Sequence, residues 1–192
     1  YLNLYMKITK IKEDISKEIA ESFKNSVAID TEATGLQIPE RDKLSLIQIC
    51  DENQNVFIIQ PNKKNFKAPN LISVLENNQL MKIFHYARMD VHFLEFYLKT
   101  NVKNYWCTKL MSRLARTFSP NHGLKDLCES LCKVKLDKKV GSSTDWNKDL
   151  TEISDKEATY AANDVKYLKT IKDKLQTMLE REKRFDLFLS TM

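Results

Sequence analysis

The tripeptide Asp30-Thr31-Glu32 closes the apolar run Val27-Ala28-Ile29 and is followed by Ala33-Thr34-Gly35-Leu36. If the run is a strand, side chains two apart share a face, so both carboxylates project together at the strand's exit. Two adjacent acids repel each other unless a cation neutralises them, and oxygen ligands suit a hard divalent ion, Mg2+ or Mn2+. Pairs of this kind also arise by chance in a chain with 30% charged residues. What marks this one is its position, at the end of an apolar strand and before a glycine turn.

A second acid follows Ile83-Phe84-His85-Tyr86-Ala87-Arg88-Met89. A strand delivers the chain to His85, and Asp90 falls in the first turn of the next helix, where an acid also favours the helix N-terminus electrostatically. His92 reads as a helix-face residue. In Tyr160-Ala161-Ala162-Asn163-Asp164 the phenol and the carboxylate lie one helical turn apart on one face. The alanines between them permit close packing on a sheet. Taken alone, that pair is equally explained by simple hydrogen bonding.

These groups need elements to hold them. Ile11, Ile15, Ile19 and Phe23 recur every four residues, which predicts a helix over 10–23. Val27-Ala28-Ile29, the stretch from Leu44 to Cys50, and Val56 to Ile59 predict three successive strands in an antiparallel meander. Alternating elements follow: a helix at Leu71–Leu75, a strand at Met81–Phe84, a helix at Val91–Leu98 and a strand near Val102–Tyr105. A late helix carries Leu168, Ile171, Leu175 and Met178 as an apolar stripe. A meander followed by strand–helix alternation predicts an α/β fold, a mixed sheet covered by helices.

The 192 residues, 42% of them hydrophobic, fit one globular domain with an adequate core. No apolar run approaches the ~18 residues of a membrane span, and the opening residues lack the pattern of a signal peptide. Cys50, Cys107, Cys128 and Cys132 form no metal-binding pair and read as free thiols of a reducing, cytoplasmic compartment. The net charge of +5, from 31 basic and 26 acidic residues, is mildly favourable to a polyanionic partner. Lys133, Lys135, Lys138 and Lys139 read as a solvated loop, with a phosphate track as the alternative. Trp146 reads as a core plug, with stacking on a base as the alternative.

In order along the chain stand D-x-E on the first acidic strand, an Asp after a strand–H-x-A turn, and Y-x3-D on a late helix. This set resembles the tyrosine-bearing branch of the DEDD superfamily of 3′→5′ exonucleases. The segment Tyr160–Leu168, together with Leu136-Asp137-Lys138-Lys139, Thr144-Asp145-Trp146 and Leu150, is similar to the ribonuclease D group. The histidine-bearing branch would place His where Thr159 stands. One departure is Tyr86, where a small residue or Asn commonly follows the histidine.

The resemblance implies a ribonuclease-H-like fold with a mixed five- to six-stranded sheet flanked by helices. It implies a single exonuclease domain over 1–192, without the helical nucleic-acid-binding domains of longer relatives. It also implies two-metal phosphodiester hydrolysis with Mg2+ or Mn2+: Asp30, Glu32 and Asp164 at one ion, Asp30 with Asp90 at the other. Tyr160, a phenol of ordinary pKa ~10, would orient the attacking water. Thr31, Gly35, Leu36 and His85 are the implied substrate contacts, with a core-anchor role as the alternative for Leu36. The expected partner is RNA at its 3′ end, such as a transfer RNA precursor. The alternatives are a DNA exonuclease of the Werner type and a non-catalytic nucleic-acid-binding module.

Overall fold

The computed structural model describes residues 6–35, 42–136 and 144–192. Leu36, Asp137, Lys138 and Lys139 lie outside the described residues. Six strands form one sheet: β1 (Lys7–Lys12), β2 (Ser26–Ala33), β3 (Leu44–Cys50), β4 (Asn55–Gln60), β5 (Met81–Phe84) and β6 (Tyr105–Cys107). Their spatial order is β1-β4-β3-β2-β5-β6. β3 runs antiparallel to both β2 and β4, and the remaining pairs are parallel.

The meander is as expected, but the helix predicted over 10–23 is not formed. Lys7–Lys12 is instead an edge strand beside β4, and only Lys17–Ser22 is helical (α1). The break has a tertiary cause. Asp14 accepts hydrogen bonds from the amides of Asn70 and Leu71, at 2.8 and 2.9 Å, and so caps the helix α2 (Pro69–Glu76). Ser16 then caps α1. The last strand also lies later than the predicted Val102–Tyr105. Lysines along β1 and the three-residue length of β6 protect the two sheet edges.

Alternation along the strands divides the core into two layers. Val27, Ile29, Ile47, Ile49 and Ile59 pack with α2 and with α3 (Ala87–Leu98). Ala28, Leu46, Cys50, Val56 and Ile58 pack under the later helices. These are α4 (Thr108–Ala115), α5 (Leu124–Leu127, continuing as a π turn), α6 (Asp155–Lys166), α7 (Leu168–Arg181) and α8 (Phe185–Leu189). On α7, Leu168, Ile171, Leu175 and Leu179 are fully buried, each stabilising the fold by about 1.5–3 kcal/mol. Ser154 and Glu157 form a capping box that fixes where α6 begins.

Two buried polar side chains in the sheet are satisfied. Gln60 donates to Lys148 O and accepts from Leu150 N. Lys82 donates to Asn77 O at 2.6 Å and Leu80 O at 2.9 Å, holding the C-terminal end of α2, while burial lowers its pKa to about 8. Gln48 of β3 differs: it is fully buried, and neither amide atom has a hydrogen-bond partner among the described residues.

Candidate active site

β2 is buried through Ile29 and becomes accessible from Asp30 onward. The strand therefore delivers its two acids at the point where core gives way to surface, and the register with β3 shifts between Glu32 and Ala33. Such irregularities often re-aim side chains beside sites. α6 lies over this face of the sheet, with Ala158, Ala161, Ala162 and Val165 buried against it. Close packing of these alanines brings Asp164 down to β2. Asp30, Glu32 and Asp164 each offer a carboxylate oxygen, and these oxygens lie within 4.8 Å of one another.

Asp90 is reached from the other side. It sits in the first turn of α3, is only 5% exposed, and does not belong to the three-carboxylate group. Its Oδ1 accepts from the Thr31 amide at 3.0 Å and from the Thr31 hydroxyl at 2.7 Å. Burial pushes its carboxyl up to about 7; the Thr31 bonds oppose that rise and the charge of Asp164 adds to it. Thr31, expected as a substrate contact, spends both donors on Asp90.

His85 directly follows β5, and its Nδ1 lies 2.9 Å from Thr108 Oγ1. The Thr108 hydroxyl donates to Phe84 O at 3.0 Å, and a hydroxyl has one proton. His85 Nδ1 must then be the donor, which in the neutral ring leaves Nε2 as an acceptor. Tyr160 shares its face of α6 with Asp164 and stacks on Trp146, ring centroids 6.1 Å apart. Trp146 is buried, in keeping with its core reading. A Cβ on Gly35 would stand 2.4 Å from both carboxylate oxygens of buried Asp42, so this glycine admits a side chain that the sequence did not single out. Lys133 donates to Ser130 O and Lys135 lies 3.6 Å from Glu129, local contacts of a solvated loop.

The donor set is all carboxylate, and no thiol or imidazole joins the group among the described residues. Converging anions with oxygen ligands alone fit hard divalent cations of the Mg2+ or Mn2+ type.

The sequence profile of a family described as 3′-5′ exonuclease matches residues 7–180. The chain belongs to the 3′-5′ exonuclease family. Solved structures agree with this exonuclease fold. Brucella melitensis NrnC with bound Mg2+ is 34% identical, with 97% of this chain and 88% of that chain covered and a TM-score of 0.88. Brucella melitensis NrnC bound to pGG is 35% identical over the same shares, with a TM-score of 0.89. Ribonuclease D of Gluconacetobacter diazotrophicus is 28% identical over 169 residues, 86% of this chain and 41% of that protein. The chain thus spans about two fifths of the length of that curated relative.

Proposed function

We propose that this domain hydrolyses RNA from the 3′ end and releases nucleoside 5′-monophosphates, using two divalent ions. The observation that carries this reading is the convergence of Asp30, Glu32 and Asp164 within 4.8 Å. These three would hold one ion, and Asp30 with Asp90 the other. When bound, such ions acidify water and offset charge on the phosphate and the leaving oxygen. The protein's own groups do the rest. Tyr160 orients the attacking water through its phenol. Thr31 holds Asp90 in place for its ligand role. His85 Nε2 accepts a hydrogen bond from a hydroxyl of the terminal ribose, while Gly35 brings backbone against the nucleotide.

The ribonuclease D relatives support RNA over DNA, and structured 3′ tails such as those of transfer RNA precursors are one substrate reading. A specific observation favours a second, short oligoribonucleotides. The relative bound to pGG matches nearly the whole of this chain at 35% identity. A degradation time course on a dinucleotide, a single strand, a transfer-RNA-like hairpin and matched DNA, each with an Mn2+ titration, separates these readings. Preference for DNA ends would overturn the RNA assignment. Activity confined to the shortest substrate would overturn the tail-trimming one.

A further inference from the structure

On the side of α3 away from Asp90 lies an open cleft of about 1110 Å3, between α3 and α4 at the β6 edge of the sheet. Arg88, His92 and Glu95 line it from one helix, at i, i+4 and i+7, and Lys109 and Arg113 from the other. Lys109 and Arg113 are themselves i,i+4 on α4, a repulsive spacing for like charges. Among the described residues, Arg88, Lys109 and Arg113 form no ion pair. The acid of the group, Glu95, is turned to the backbone, where it accepts from Val102 N at 3.0 Å. The positive field extends beyond the cleft: His122 is held below its usual pKa first by burial and then by Arg116, Arg113 and Lys109.

Tyr86, a residue 46% exposed, also lines the cleft, and Lys109 Nζ stands 4.2 Å from its ring centroid. Its backbone is left-handed, φ 69°, which is unfavourable for a bulky residue. An exposed aromatic ring beside a cation is the pairing with which surfaces hold single-stranded nucleic acid, by stacking and by phosphate contact. The cleft opens at the same end of the sheet as the acids: Ala28 and Ile83 are paired in the parallel β2–β5 register, and Asp30 and His85 each follow two residues on. Tyr86 follows His85, and Lys109 follows Thr108, the two residues joined by the 2.9 Å hydrogen bond.

From this we infer that the cleft is a second nucleic-acid site, which holds the upstream phosphates and one base of a single strand whose 3′ end lies at the carboxylates. The inference rests on the exonuclease reading and extends it to substrate length. It is tested by binding, without metal and so without turnover, of a labelled RNA single strand of about 12 nucleotides over a salt series. With three phosphate contacts, log K should fall against log salt with a slope of about −2, and Lys109→Gln with Arg113→Gln should flatten it by about 1.4. Tyr86→Asn, which tolerates the left-handed backbone, should weaken binding about tenfold. In turnover, the ratio of KM for the long strand to KM for a dinucleotide should rise in the charge variant. An unchanged slope and affinity in the variants, or equal loss on both substrate lengths, would overturn the inference. Loss of hydrolysis by the wild-type protein with salt-dependent binding intact would instead overturn the exonuclease reading.

Discussion

Asp90 accepts two hydrogen bonds from Thr31, the residue set between the two acids of β2. One ligand strand thereby holds the acid that arrives on α3. Thr31→Val keeps the shape and the amide bond but removes the hydroxyl bond. It should cost about 1 kcal/mol of stability and weaken Mn2+ binding, and Thr31→Ser should restore both. Urea unfolding and a metal titration check this; a valine variant with native metal affinity would contradict it.

The raised pKa of Asp90 has a definite sign in stability. Its folded value of about 7 lies above its unfolded value of about 3.9. The folded state therefore keeps a proton that the unfolded chain releases. Without metal, this contribution is fully present below about pH 4 and is lost as pH rises through 7. Thermal unfolding in chelator should show falling stability from pH 5 to 8, with a flatter profile in Asp90→Asn. Metal binding should release protons near pH 6, detectable by calorimetry in buffers of different ionisation enthalpy.

Gln48 lies opposite Asp30 in the β2–β3 register, with both amide atoms unpartnered among the described residues. Removing an unsatisfied buried amide relieves a desolvation penalty of about 1–3 kcal/mol. Gln48→Met, of similar shape, should therefore raise the unfolding temperature of the metal-free protein. A lower temperature would show that the amide is bonded in solution.

Gly35→Ala forces the Asp42 carboxylate to move, since the added methyl would stand 2.4 Å from it. Overpacking of this kind costs about 1–3 kcal/mol. In a double-mutant cycle the loss should shrink when Asp42 is first shortened to Ala. Full additivity in urea unfolding would place the strain elsewhere.

The acids were legible in the sequence because each sits in a local pattern: two apart on a strand, in a first helical turn, one turn from a tyrosine. The convergence of Asp30, Glu32 and Asp164 was legible only through the order of the three segments. The bond between Thr31 and Asp90 was not legible, since it spans 59 positions and leaves no periodic trace. The same holds for Asp14, whose cap on α2 ends what local spacing reads as one helix. Ile11, Ile15, Ile19 and Phe23 keep their four-residue rhythm across a strand, a bend and a short helix. β1 turns Ile11 inward, the segment before α1 turns Ile15, and α1 with its C-cap turns Ile19 and Phe23, so periodicity alone misassigns them. Asp42 escaped notice for a related reason: its meaning depends on the absence of a side chain at Gly35.

Metal-dependent hydrolysis from the 3′ end is the role proposed for the Asp30–Glu32–Asp164 cluster. Its most direct test is the fate of 5′-labelled RNA with Mn2+, comparing the wild-type protein with Asp164→Asn. The wild-type protein should shorten the strand stepwise from the 3′ end, release mononucleotides and stop in chelator. Asp164→Asn should be folded and slower by about a thousandfold or more. Native-rate cleavage by the variant, or wild-type cleavage that persists in chelator, would contradict the assignment.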